Sequence, residues 1–204
     1  MRLSRRAFAA SAFAAPAIAR AQNAGPIRMV FPFAPGGGGD AMTRLRAHLE
    51  GRPPVEAPEY DIYPKGLVEP YRTNRFALGE QMYELLGIAR DDKEGRLRQF
   101  AKNGDFFDAP AALFCYLDRQ MGPPQWSDLG MFLQTFMLLA VEQGLDTCAQ
   151  EYWSVRHGAV ASFVGAPGNE MLFCGLAVGY ADLSAPVNAL RSHRMPVEQW
   201  ATWV

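Results

Sequence analysis

The chain has 204 residues, a net charge of −1 and 49% hydrophobic residues. That length suits one domain, and the near-zero charge gives no reason to expect a nucleic-acid or anionic-membrane partner. The three cysteines and three histidines are scattered, so they form neither a metal-ligand spacing, nor a disulfide framework, nor a nucleophile triad.

At the N-terminus, Arg2, Arg5 and Arg6 precede the apolar, alanine-rich run Ala7–Ala19, and Ala19-Arg20-Ala21 offers a small-residue cleavage site. These are the parts of a secretory signal peptide, of twin-arginine character, over residues 1–21. The run is too short to span a bilayer, so no stable membrane anchor is expected. A functional signal implies a periplasmic protein; without one the chain is cytoplasmic. Next, Ile27–Phe31 reads as a strand, Gly36–Gly39 as a tight turn with exposed amides, and Asp40 as the N-cap of a helix over Ala41–Leu49. A glycine loop before a helix can bind an anion, but no Gly-Lys-Ser/Thr follows to make a P-loop. Residues 1–49 resemble the signal peptide and first strand, loop and helix of the solute-binding proteins of tripartite tricarboxylate transporters. That resemblance implies binding of a small carboxylate.

Gly51–Glu59 is proline-rich and reads as a linker; Tyr60–Tyr71 is an extended, proline-punctuated segment. Phe76, Met82, Leu85 and Leu86 set a helical period over Thr73–Leu86, and Asp91-Asp92 opens another helix through Leu97 and Phe100. Asn103–Pro110 breaks it. Ala111–Leu117 is a short apolar run of buried-strand type. Ser127 caps a long buried helix that Gly144 stops. A short loop follows, then a helix over Tyr152–Phe163 and a second buried strand over Met171–Val178. Gly179–Val204 is turn-rich. Helices alternating with short apolar strands predict an α+β or α/β domain with a covered sheet.

From Pro54 onward the phrases YDIYPKGLVEPYRTNRF, GEQMYELLGI, NGDFFDAPAALF, DRQMGPPQWSDLGMFLQTFMLLAVEQGLDTCAQEYW and MLFCGLAVGYADLSAPVNALRSHRMPVEQW resemble the nitroreductase family. The resemblance implies a nitroreductase-like fold, a homodimer, an FMN cofactor, and transfer of hydride from NAD(P)H to a small acceptor such as a nitroaromatic. The flavin carries that chemistry, so no catalytic side-chain pair is expected. It further implies that Ala149, Gln150 and Glu151 meet the flavin ring, that Asn103 reaches it, and that Arg191 and Arg194 hold its phosphate. Trp126, Phe132 and Phe136, at helical spacing, are expected in the dimer or domain core. Two family features are missing: an early RRSxR-type helix and a PSxxNxQPW-like segment. The chain therefore reads as an apparent chimera, with a signal at 1–21, a solute-binding-protein-like fragment at 22–50 and an N-terminally truncated nitroreductase-like domain at 51–204. Loss of the early segment is expected to impair FMN binding.

Overall fold

The computed structural model describes residues 27–30, 38–52 and 55–204. The signal peptide read at 1–21 lies outside them, as do Gly36 and Gly37 of the turn read at Gly36–Gly39; Gly38 and Gly39 begin a helix. Four strands, β1 (Ile27–Val30), β2 (Ala111–Asp118), β3 (Asp146–Gln150) and β4 (Glu170–Gly179), form one antiparallel sheet in the order β1-β2-β4-β3. Five helices surround it: α1 (Gly38–Leu49), α2 (Tyr71–Leu85), α3 (Lys93–Ala101), α4 (Pro123–Glu142) and α5 (His157–Val164).

The two apolar runs become the two central strands, as their composition predicts. In β2 successive side chains face opposite layers. Ala112, Phe114 and Tyr116 pack with Phe106, Trp153, Val160 and Leu172 on one face. Cys115 and Leu117 pack with Leu129 and Leu133 of α4 on the other. The predicted α+β class with a helix-covered sheet is what forms.

Residues 27–30 and 38–49, read from sequence as part of a separate N-terminal fragment, sit in this same sheet and core. Ile27 lies opposite Leu117 in the ladder. Met42 and Leu45, one helical turn apart, are buried in the Phe106–Trp153 cluster. The helix begins at Gly38, so Asp40 falls inside its first turn rather than at its N-cap.

Five further readings are corrected. The supposed linker is pinned: Glu56 accepts hydrogen bonds from the Gly158 and Ala159 amides, at 2.7 and 3.1 Å, and so caps α5. The long helix starts at Pro123, not Ser127, because proline suits the first turn, where no amide donor is needed. Only Leu129, Leu133 and Ala140 of that helix are buried; Met131, Leu138 and Val141 are exposed. The predicted loop before Glu151 is the strand β3, and the helix predicted from Tyr152 is a 3-10 turn, Glu151–Arg156, followed by α5. Gly144, at φ 76°, does end the long helix's excursion. Among the described residues no helix is long and apolar enough to cross a membrane.

A β-bulge opens in β4, where Cys174 pairs with Cys115 and Leu172 with Tyr116, leaving Phe173 unpaired. The Tyr60 hydroxyl donates to the Phe173 carbonyl at 2.5 Å, and its ring stacks on Phe173 and meets Trp126 edge-on. Two residues further, Gly175 lies under the Trp153 indole; a Cβ there would collide with Cδ1 and approach Nε1 to 2.7 Å. Gly175→Ala is therefore expected to destabilise the fold by about 1–3 kcal/mol, the usual cost of overpacking. Thermal unfolding checks this, and an unchanged Tm would refute the close packing.

Candidate functional site

β3 is an edge strand: among the described residues it pairs only with β4. Its outer edge carries backbone N–H and C=O groups with no ladder partner. At its end the chain enters the Glu151–Arg156 turn, which Gln150 and Trp153 fix. Gln150 is buried. Its Nε2 donates to the Asn103 carbonyl at 3.2 Å and to Asn103 Oδ1 at 3.0 Å, while its Oε1 accepts from Trp153 Nε1 at 3.4 Å. The Asn103 carbonyl can only accept, which sets the orientation of the Gln150 amide. Asn103 Nδ2 in turn donates to the Phe100 carbonyl at 2.9 Å.

Two of the residues singled out by sequence are thus brought together across 47 positions of chain. Their side chains are engaged with each other. They hold β3 against the 3-10 turn Lys102–Asp108. That turn carries three successive non-glycine residues with positive φ, Phe106, Phe107 and Asp108, at 50°, 53° and 61°. Such a run is costly and persists only where packing enforces it. Here Phe106 is buried, stacked on Trp153 with centroids 4.6 Å apart, and tilted against Phe114.

Ala149 is exposed on the edge strand, and Glu151 is exposed immediately after it. Neighbouring protein strips water from the Glu151 carboxyl and raises its pKa above the ordinary value, with the Arg75 charge opposing. Below this point Ser154 donates to the Glu151 carbonyl at 2.6 Å. Burial pushes the Tyr60 hydroxyl and the Cys115 thiol above their usual ranges and the Cys174 thiol up to about 12. Neither buried cysteine is therefore a thiolate nucleophile at neutral pH.

Arg191 and Arg194 lie on the exposed C-terminal segment, and their hydrogen bonds are local. Arg191 Nη1 donates to the Asn188 and Leu190 carbonyls, both at 3.0 Å; Arg194 donates to Ser192 Oγ and the His193 carbonyl. No contact joins them to the Asn103–Gln150 pair. Trp126 packs in the second core cluster, as expected, while Phe132 and Phe136 are half-buried. Sequence reading missed Trp153, Phe106 and Gly175. A lone glycine inside an apolar strand was the available signal of a close approach.

No group of three or more histidine, cysteine or acidic side chains among the described residues could hold a metal ion. The fold is a helix-covered antiparallel sheet whose candidate site is a strand end fixed by Asn103, Gln150 and Trp153.

Residues 45–180 match the Nitroreductase family model, and the chain belongs to that family. It is 37% identical over 164 residues to the nitrobenzene nitroreductase of Ectopseudomonas oleovorans, covering 80% of this chain and 70% of that protein. It superimposes on the FMN and NADPH-dependent nitroreductase NfnB of Sphigopyxis sp. strain HMH with a TM-score of 0.80 and 40% identity, over 100% of this chain and 91% of the other. The FMN-dependent NfnB of Mycobacterium smegmatis, solved with NADPH, gives a TM-score of 0.76 and 26% identity over 90% and 81%.

The environment of Glu151 sets a pH signature. A raised folded-state pKa means that the folded chain binds this proton more tightly than the unfolded chain. Stability then falls as pH rises through the carboxylate range, and the penalty is complete above it. Glu151→Gln is expected to raise Tm at neutral pH, with the gap closing at acid pH below that range. A gap independent of pH would refute the assignment.

Proposed function

We propose that this chain is an FMN-dependent NAD(P)H oxidoreductase that reduces nitroaromatic or similar small acceptors. When bound, FMN supplies a two-electron carrier between the nicotinamide and the acceptor. The observation that carries the reading is the open edge of β3, locked at its end by Asn103, Gln150 and Trp153. The outward-facing backbone of Ala149 and Gln150, on the side away from β4, is assigned to the donor–acceptor rim of a flavin ring. Arg191 and Arg194 are assigned to the phosphate. The relatives' activities favour this reading over carboxylate binding as a transporter component.

The purified chain is expected to absorb near about 450 nm, as flavoproteins do, and to be bleached by NADPH. A colourless protein that fails to take up added FMN refutes the reading. Removing one charge-assisted phosphate contact costs about 1.5–3 kcal/mol, so Arg194→Ala should raise the FMN Kd by about tenfold or more. An unchanged Kd would return Arg194 to the solvent.

A homodimer is part of the proposal. Met131, Leu138 and Val141 of α4, and Trp200 and Trp203 of the C-terminal segment, are exposed apolar side chains of the kind partners cover. Sedimentation should give twice the chain mass; a monomer at micromolar concentration would overturn this. We assign the protein to the periplasm if residues 1–21 act as a signal and to the cytoplasm otherwise, which cell fractionation decides.

A further inference from the structure

Two of the three cysteines, scattered in the sequence, are neighbours in the fold. Cys115 of β2 and Cys174 of β4 lie directly opposite each other where the two central strands pair. Opposed residues of an antiparallel ladder have Cα atoms about 4.5–5.5 Å apart. That lies within the span of about 4.4–6.8 Å that a disulfide bridges. Both thiols are free in this structure.

Their side chains also share a face, and the β-bulge is the reason. With regular pairing, Phe173 would stand opposite Cys115, and Cys174 would turn to the other layer. The extra residue resets the alternation. Leu172 packs in the Phe106–Trp153 layer, while Phe173 and Cys174 both pack on the α4 side. Cys115 belongs to that same cluster, under Leu129 and Leu133.

The pair is closed off once the chain has folded. Cys115 and Cys174 are 0% and 2% exposed, whereas Cys148 is exposed. Burial keeps both inner thiols protonated. In the unfolded chain they reach solvent, where a thiol ionises near about pH 8.5. The redox state of the pair is therefore set while the chain folds.

We propose that Cys115 and Cys174 form a redox-sensitive staple, which closes to a cross-strand disulfide when the chain folds among small disulfides and remains a protected dithiol when it folds in a reducing medium. Before α4 covers the sheet, one cysteine gives its proton to solvent and attacks a sulfur of oxidised glutathione. A mixed disulfide forms and one glutathione thiolate leaves. The second cysteine, deprotonated in turn, attacks the protein sulfur of that mixed disulfide. The cross-strand bond forms and the second glutathione thiolate leaves. Two protein thiols are oxidised and one small disulfide is reduced to two thiols. The closed bond restricts the unfolded chain and so favours the folded one. Neither step involves the flavin reading.

The test refolds the reduced, unfolded full chain in a buffer of oxidised and reduced glutathione, blocks free thiols with iodoacetamide and maps the peptides by mass. Cys115 and Cys174 should be joined, their peptides together two hydrogens lighter than the free pair, with Cys148 alkylated. The joined chain should unfold about 5 °C or more above the reduced one. Cys148→Ser should change neither result. Cys174→Ser should abolish both the link and the difference in Tm between oxidising and reducing refolding. The already folded chain, placed in the same buffer, should stay reduced far longer than the refolding chain. Alkylation of both inner cysteines after oxidising refolding, a link through Cys148 in their place, equal oxidation rates with and without unfolding, or a link that leaves Tm unchanged or lower each overturns the proposal.

Discussion

The packing of the Trp153 indole over Gly175 is the constraint on which the rest depends. The indole can lie flat against β4 only because that strand lacks a side chain at Gly175. Once there, it stacks on Phe106, meets Phe114 and Tyr152 edge-on, and points its N–H at Gln150. Phe106 is held at positive φ by that stack, and Asn103, three residues earlier, is thereby delivered to Gln150. One aromatic contact links the sheet centre, the turn after α3 and the end of β3. Aromatic pairs of this kind contribute about 0.5–1.5 kcal/mol each beyond burial. Their larger effect here is geometric, because each fixes the next.

What the sequence made legible follows from how strongly each segment is determined locally. β2 and β4 are apolar on both faces because helices cover both, and such runs are read from composition alone. α2 and α3 carry helical periodicity and, in α3, an Asp92 side chain that accepts from the Gly95 amide at 2.8 Å. β3 was not legible. Asp146–Gln150 has only one buried residue and lies at an edge, so neither alternation nor an apolar run marks it. Its existence depends on β4, more than twenty residues away. The start of α4 was misplaced because a serine was preferred over the two prolines that precede it, although proline's missing amide donor costs nothing in a first turn.

The candidate site shows the same division. Family resemblance brought Asn103 and Gln150 forward as ligand contacts, and the fold does bring them together. Their side chains also bond to each other, and Gln150 to Trp153. Hydrogen-bond partners 47 residues apart cannot be read from spacing.

A site built this way explains why no catalytic motif stands out in the chain. Where a cofactor carries the electrons, the protein must hold the ring and tune its surroundings. On the reading proposed above, backbone groups at the end of β3 would do this, and the polar side chains nearby are used internally, as Gln150 and Asn103 are. Arg75, stacked on Tyr63, acts on Glu151 through its charge, so the field at the strand end changes with the protonation of that carboxylate.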